Sequence, residues 1–123
     1  MTTNPRRGEI WLANLDPTIG AEIKKTRPAI VISSDSIGKL PLKLIVPVTD
    51  WKDGFANNLW HIDLKPTPAN GLTKKSAADV LQLRSADIRR LIRKLGVLPE
   101  TDLQEISGVI AALVEYQDST DAP

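Results

Sequence analysis

The feature that most constrains the fold is the apolar run Ala29-Ile30-Val31-Ile32, which follows directly on Thr26-Arg27-Pro28. A short, continuously apolar run with β-branched residues is typical of a strand buried on both faces, and proline suits its first position because it cannot donate a ladder hydrogen bond. Residues 28–32 are therefore predicted to form a central strand. Arg27 then stands at the start of a core strand, where its fixed cation would suit a phosphate group.

The rest of the chain predicts more strands and one helix. Residues 9–15 precede the turn pair Asp16-Pro17, and residues 16–27 lack a sustained period and predict a loop. Residues 88–97 fit a strand or a helical face, and we favour a strand because of Gly96 and the strand count. Further strands are predicted at 42–49, 59–64 and 76–83, a hairpin connection at 50–58, a loop at 66–71 and a turn at 85–87.

A helix is predicted from Pro99 onward. Leu103, Ile106, Ile110 and Leu113 recur at helical spacing. Its start is either Pro99 itself or a capping box formed by Thr101 and Gln104. The expected fold is mainly β with a C-terminal α-helix packed on a small antiparallel, partly closed barrel.

The length of 123 residues suits one domain, 1–123, with residues 118–123 expected to fray. No apolar run approaches the roughly 20 residues that span a bilayer, and the first residues lack the apolar stretch of a secretory signal. The absence of cysteine excludes disulfides and thiolate metal sites. We therefore expect a cytoplasmic protein that has no membrane segment.

The charges are segregated along the sequence. All 16 Lys and Arg residues lie before position 100 together with nine of the 15 acids, so the last part of the chain is purely acidic. A basic body attracts phosphate polymers through counterion release. The alternative is a solvated surface on which the two parts neutralise each other.

The available side chains limit the possible chemistry. There is one histidine, His61, and no D-x-D, H-E-x-x-H or Cys/His pattern, so neither an imidazole pair within one chain nor a metal site is expected, and no cofactor is predicted. Arg, Glu, Thr and Ser suit attack of a ribose 2′-hydroxyl on the adjacent phosphodiester, because RNA supplies its own nucleophile. Arg27 would neutralise the phosphoryl oxygens. The alternative is a surface pair of Arg27 with Glu22 or Asp35.

Several motifs in order resemble the MazF/PemK family of toxin endoribonucleases. The resemblance begins with Gly-Glu-Ile-Trp, Leu-Asp-Pro, Gly-x-Glu and Thr-Arg-Pro between positions 7 and 33, and with the C-terminal helix it covers nearly the whole chain. The later matches are Ile45-Val46-Pro47-Val48-Thr49, His61-Ile62-Asp63-Leu64 and Leu81-Gln82-Leu83-Arg84-Ser85-Ala86-Asp87.

The resemblance implies an SH3-like (CcdB/PemK-type) barrel, a homodimer and the toxin of a type II toxin–antitoxin system. It further implies metal-independent, sequence-specific cleavage of single-stranded mRNA, leaving a 2′,3′-cyclic phosphate and a 5′-hydroxyl. The implied partner is a MazE-like antitoxin whose flexible acidic segment occupies the RNA groove. By position, Arg27, Thr49 and Glu22 match catalytic residues of the family, and Gln82 matches a glutamine that lines the RNA groove.

Roles follow from the chemistry of these groups. Arg27 would stabilise the phosphorane, since its high pKa makes it a reluctant proton donor. Thr49 would hydrogen-bond a phosphate oxygen or relay a proton, or else only cap a turn. Glu22 is the candidate base, with a loop carboxylate paired to Lys24, Lys25 or Arg27 as the alternative.

Other residues are predicted to contact the RNA. Lys24 and Lys25 would position phosphates, and Trp51 and Phe55 would stack bases. His61 is expected at the surface. A second basic cluster is predicted to be a solvated face or, as the alternative, an extension of the RNA track; it consists of Arg89, Arg90, Arg93 and Lys94.

Two other functions remain possible from the sequence. A gyrase poison of the CcdB type acts through its C-terminal residues, but this chain ends without a tryptophan there and retains Arg27 and Thr49. A non-catalytic RNA-binding barrel would use Arg27 only to contact phosphate.

Overall fold

The structure, a computed structural model, describes residues 4–118. Within that range it confirms a mainly β fold that ends in a helix. The strands and the helix are β1 (Glu9–Asn14), β2 (Thr26–Val31), β3 (Leu42–Asp50), β4 (His61–Leu64), β5 (Ser76–Asp79), β6 (Arg84–Asp87), β7 (Leu91–Val97) and α1 (Glu100–Leu113). Of the C-terminal residues expected to fray, 119–123 lie outside the described residues.

Strand β2 is central, as predicted. It pairs antiparallel with β1 on one side and β3 on the other, and Ala29, Ile30 and Val31 are fully buried. The strand begins two residues before the predicted start, because β1 continues to pair with Arg27 and Thr26. Arg27 is therefore held within the sheet.

Strand β3 pairs with neighbouring strands along both of its edges, and two strands share one of these edges. Its first part pairs with β6, with Ile45 opposite Arg84, and its second part pairs with β5, with Val48 opposite Ala78. A 3₁₀ helix, Val80–Gln82, carries the chain from β5 to β6. The predicted strand at 76–83 therefore ends at Asp79. The predicted turn at 85–87 is wrong, because those residues pair with β3 through their backbone despite their polar side chains.

The strand order is β4-β5-β3-β2-β1-β7, with β6 beside β3 and every pair antiparallel. The predicted hairpin connection at 50–58 is wrong, because β5 lies between β3 and β4, and this segment contains the 3₁₀ helix Asp53–Asn57.

The sheet is open rather than closed into a barrel. Its end strands β4 and β7 do not pair with each other within residues 4–118. The segment after β4 occupies the gap, where the Val97 N–H donates to the Ala69 carbonyl at 2.9 Å. Gly71 and Gly96 make this close approach possible, since a Cβ on Gly71 would lie 2.1 Å from the Leu95 carbonyl oxygen.

The sheet carries a core on each face. Helix α1 packs on one face through Leu103, Ile106 and Val109, which are buried against residues such as Ile30 and Val46. The other face carries a smaller cluster made of Trp11, Ala13, Leu15, Ala29, Val31, Ile45, Ala86 and Leu91.

Helix α1 begins at Glu100, one residue after the predicted start at Pro99, which is its N-cap. The side-chain amide of Gln104 donates to the Glu100 carboxylate at 2.8 Å, so the capping box with Thr101 does not form. No helix among residues 4–118 is both long and apolar enough to cross a membrane.

Candidate functional site

Arg27 and Thr49 lie at the same end of the central sheet. Ala29 of β2 is opposite Pro47 of β3. Because side chains alternate along a strand, continuing that register by two residues brings Arg27 and Thr49 opposite each other on one face. Both residues line a cleft of about 460 Å³, here called the arginine cleft, whose far wall is the segment 71–74. The structure therefore brings together the two residues with the strongest catalytic prediction.

The guanidinium of Arg27 has no acidic partner within the described residues. Its Nε is buried and has no hydrogen-bond partner. The predicted alternative partners are engaged elsewhere: Glu22 accepts from the Ile19 N–H at 2.7 Å, and Asp35 accepts from the Arg7 N–H at 2.9 Å. Buried donors are rarely left unpaired, so this guanidinium suits an anionic ligand.

The arginine cleft contains charges that the sequence did not place there. Asp50 and Lys74 face each other in it as an ion pair of 3.2 Å, and Arg93 of β7 lines it as well. Arg93 therefore separates from the predicted basic cluster, in which Arg89 pairs with Asp87 and Lys94 pairs with Glu9. No local signal in the sequence points to Arg93, because its place depends on strand pairing: Leu12 of β1 lies opposite both Arg93 and Pro28.

Glu22 and Gln82 line a second cleft of about 620 Å³. Pro17, Pro47 and Leu81 contribute apolar walls, and we call this space the proline cleft. Strand β3 connects the two clefts, because Pro47 lines one of them and Val48 and Thr49 line the other. The three predicted catalytic residues are thus divided between neighbouring clefts.

Gln82 holds the β1–β2 loop in place. Its Oε1 accepts from the Ile23 N–H at 2.6 Å, and its Nε2 donates to the Ala21 carbonyl at 3.2 Å. These bonds flank Glu22 on both sides. The loop that bears Glu22 is therefore fixed by a residue 59 positions away in the sequence.

The His61 side chain is only 8% exposed, contrary to the prediction that it lies at the surface. The Phe55 ring stacks on it with centroids 3.6 Å apart and covers that side of the strand. Its Nε2 lies 3.4 Å from Asp79 Oδ2, and its Nδ1 is 3.1 Å from the Asn58 amide. Asp79 Oδ2 also accepts from Gln82, so a polar chain runs from Asn58 to the β1–β2 loop.

The other predicted RNA contacts lie outside the lining of both clefts. Lys24 and Lys25 are exposed on the β1–β2 loop. Trp51 and Phe55 meet edge to face at 5.8 Å, and the Lys75 ammonium lies 4.9 Å from the centre of the Trp51 ring. Their roles in binding phosphates and stacking bases stay predictions.

The carboxylates with perturbed pKa values lie away from the clefts. For Glu9, burial raises the pKa, but hydrogen bonds from the Arg6 N–H, the Trp11 indole and the Lys94 ammonium outweigh it and lower the pKa overall. The Gln104 amide, and then the Arg7 guanidinium, lower the pKa of Glu100.

The Arg89 side chain lowers the pKa of Asp87 through its hydrogen bonds and charge. These shifts belong to the framework of the fold. Within residues 4–118, no group of three or more His, Asp or Glu residues is arranged to hold a metal ion.

The chain is similar to known proteins along most of its length. Residues 6–114 match the family model described as PemK-like, MazF-like toxin of type II toxin–antitoxin system. Endoribonuclease PemK of Escherichia coli is 30% identical over 114 residues, which cover 88% of this chain and 80% of that protein. Endoribonuclease MazF9 of Mycobacterium tuberculosis is 33% identical over 107 residues, which cover 82% and 88%.

The fold is similar to solved structures as well. The crystal structure of MazF from Deinococcus radiodurans superposes with a TM-score of 0.77 at 26% identity, covering 93% of this chain and 99% of that one. A MazE–MazF structure from the same organism gives a TM-score of 0.71 at 27% identity, with 92% and 97% covered.

Proposed function

Because the chain belongs to the PemK-like, MazF-like family of toxins of type II toxin–antitoxin systems, we propose that it is a metal-independent, sequence-specific endoribonuclease acting on single-stranded mRNA. Relatives named endoribonucleases are 30 to 33% identical over more than four fifths of the chain. The observation that carries the proposal is the arginine cleft, in which an unpaired guanidinium and a threonine hydroxyl face the same space.

The reaction is a transesterification within the RNA. The 2′-hydroxyl attacks the adjacent phosphorus and the bond to the 5′-oxygen breaks, which leaves a 2′,3′-cyclic phosphate and a 5′-hydroxyl. The substrate brings its own nucleophile, so the protein has to stabilise charge and move one proton in and one out.

Arg27 stabilises the extra negative charge on the phosphoryl oxygens. Its backbone pairs with Ala13 of β1 and its Nε is buried, and a preorganised donor costs little reorganisation when charge develops. Thr49 donates its hydroxyl to a phosphoryl oxygen or relays a proton. Glu22, the predicted base, lines the neighbouring proline cleft.

The surroundings of this site favour a polyanion. Arg93 and Lys74 line the same cleft, and Lys24 and Lys25 are exposed on the β1–β2 loop. The cationic groups would neutralise successive phosphates of a single strand. An acidic segment of a cognate antitoxin would compete for the same charges.

Membership of this family supports a proposal for the protein partner and for the oligomeric state. A MazE–MazF complex is among the structures with this fold, so a MazE-like antitoxin is the partner we propose for this chain. We further propose that the toxin acts as a homodimer in the cytoplasm, where its mRNA substrate is found.

The two other functions considered are not favoured. A gyrase-binding toxin of the CcdB type has no use for the unpaired guanidinium in a cleft, and a non-catalytic RNA-binding barrel would need only phosphate contacts. The family match and the named relatives support cleavage instead.

The test is to incubate the purified protein with a long single-stranded RNA in EDTA and to map the cut sites and the chemistry of the ends. We expect 2′,3′-cyclic phosphate and 5′-hydroxyl termini. Arg27→Ala should reduce the cleavage rate by roughly 10² to 10³, the usual effect of losing one charge-stabilising donor.

Arg89→Ala is the matched control, because the Arg89 side chain is 88% exposed and pairs only with Asp87. It should cut at the wild-type rate. Undiminished cleavage by Arg27→Ala would refute the mechanism, and cleavage that requires an added metal ion would refute metal independence.

A further inference from the structure

We propose that the proline cleft binds the nucleobase next to the scissile phosphate and that Glu22 selects a base with an amino group over uracil. This inference rests on the proposed function and deepens it. It assigns Glu22 a role in specificity rather than in proton transfer.

The position of the cleft supports a nucleotide next to the reacting one. Pro47 lines the proline cleft and Thr49 lines the arginine cleft, and both belong to β3. Residues two apart on a strand are separated by about 7 Å. A nucleotide can bridge that separation, so a phosphate beside Arg27 brings a neighbouring base to Pro47.

The walls suit the flat face of a base. Pro17, Pro47 and Leu81 present apolar surface to the cleft. Leu81 is 60% exposed and belongs to neither of the two core clusters. Unpaired bases are commonly bound with a face packed against a side chain while their edges are read by hydrogen bonds. A volume of about 620 Å³ accommodates a base with room for its sugar.

Among the polar side chains that line the cleft, Glu22 supplies the one carboxylate. The Gln82 amide is engaged with the backbone of the β1–β2 loop, and Arg84 donates to the Leu15 carbonyl at 3.0 Å. Glu22 uses Oε1 to accept from Ile19, and its Oε2 has no partner within the described residues. This oxygen is therefore an anionic acceptor that has no proton to give.

An acceptor of this kind discriminates among bases. Adenine, cytosine and guanine each present an exocyclic amino group, which can donate to a carboxylate. Uracil presents one ring N–H between two carbonyl oxygens, and these oxygens repel the carboxylate. Glu22 should therefore disfavour uracil at this position.

The location of Glu22 also argues against the other roles. A general base must lie within hydrogen-bond reach of the proton that it takes, but Glu22 lines the cleft beside Pro47 rather than the one that contains Arg27. An acidic peptide would place its carboxylates near that of Glu22 and be repelled. A nucleobase avoids both difficulties.

The experiment uses the full chain and an RNA pool in which the nucleotides on both sides of one cut site are randomised. The cleaved ends are sequenced to give the base preference at each position. Wild-type protein should discriminate against uracil by about tenfold at one position, the order of a single good base-edge contact. Glu22→Gln keeps an acceptor for Ile19 and adds an amide donor for uracil, so it should reduce that discrimination to about twofold or less.

Glu105→Gln is the matched control, since Glu105 is exposed on α1, and it should leave the base preference unchanged. A fall in rate that is equal for all four bases, with the preference intact and the basic-limb pH profile altered, would show a general base and overturn the inference. A change in antitoxin affinity without a change in base preference would overturn it in favour of a docking role. A fall of roughly 10² to 10³ in the cleavage rate of Arg27→Ala, measured in parallel, supports the proposed function whether or not Glu22→Gln changes the base preference.

Discussion

Gly96→Ala is expected to destabilise the protein and to distort the arginine cleft. A Cβ on Gly96 would lie 2.3 Å from the Ala69 carbonyl oxygen and 2.4 Å from the Asn70 carbonyl carbon. Ordinary contact between such atoms needs about 1 Å more, and both are backbone atoms that cannot rotate away. The loop after β4 would have to move away from β7, which breaks the hydrogen bond of the Val97 N–H to Ala69.

The expected loss in the free energy of unfolding is the sum of three contributions. Overpacking of this kind costs about 1–3 kcal/mol and the lost hydrogen bond about 1 kcal/mol, while the reduced entropy of the unfolded chain offsets up to about 1 kcal/mol. A net loss of about 2 kcal/mol lowers Tm by roughly 8 °C for a chain of this length. Because the displaced loop continues into Gly71 and Lys74 of the cleft wall, kcat/KM for RNA should fall as well.

The assay is thermal unfolding by circular dichroism together with RNA cleavage below the transition. Gly108→Ala is the matched control, because Gly108 lies in α1 and an added Cβ would meet nothing within 4 Å. That variant should gain up to about 1 kcal/mol from helix propensity and cut normally. An unchanged Tm in Gly96→Ala would refute the close approach of β7 and the loop.

Two further predictions concern the loop and the acid stability. Gln82→Ala removes the hydrogen bonds to Ile23 and Ala21, which are worth about 1 kcal/mol each. Trypsin should therefore cut the β1–β2 loop about tenfold or more faster, as measured by mass spectrometry. An unchanged rate of cleavage would contradict the conclusion that Gln82 holds this loop in place. For Glu9 the folded pKa is lowered, so its contribution to stability is present above the ordinary glutamate value of about 4.3 and is lost as the pH falls through the lower folded value. Glu9→Gln should therefore lower the urea midpoint at pH 7 and lower it progressively less as the pH falls below the ordinary glutamate value, and an equal loss at every pH would contradict this account.

The elements that the sequence predicted well are those with an apolar face. Strand β2 and helix α1 were predictable because burial leaves a continuous or helical apolar pattern. Strand β6 was missed because it pairs through its backbone while Ser85 and Asp87 resemble turn residues. The placement of β5 between β3 and β4 was also missed, since strand adjacency is not a local property of the sequence.

The site was predictable only in part for a similar reason. Arg27 and Thr49 were predicted together only through their match to the MazF/PemK motifs, because the pairing of β2 with β3 that aligns them is not a local property of the sequence. Glu22 is five positions from Arg27, yet it lines the other cleft. The loop closes on itself where Lys25, with a φ of 71°, donates its N–H to Asp16, so the intervening residues project away from β2.

The residues assigned to the reaction and the residue assigned to base selection lie on different parts of the fold. The groups assigned to the reaction lie on paired strands, where a change of side chain disturbs the core beside them. Glu22 lies on a loop that is tied to the body through Gln82, and behind Gln82 through Asp79 and His61. Substitutions at Glu22 leave the bonds to Gln82 in place, because these involve the loop backbone, and a side chain that keeps an acceptor can also keep the bond from the Ile19 N–H. Base preference can therefore change by single substitutions on the loop while the arrangement that stabilises the phosphorane stays the same.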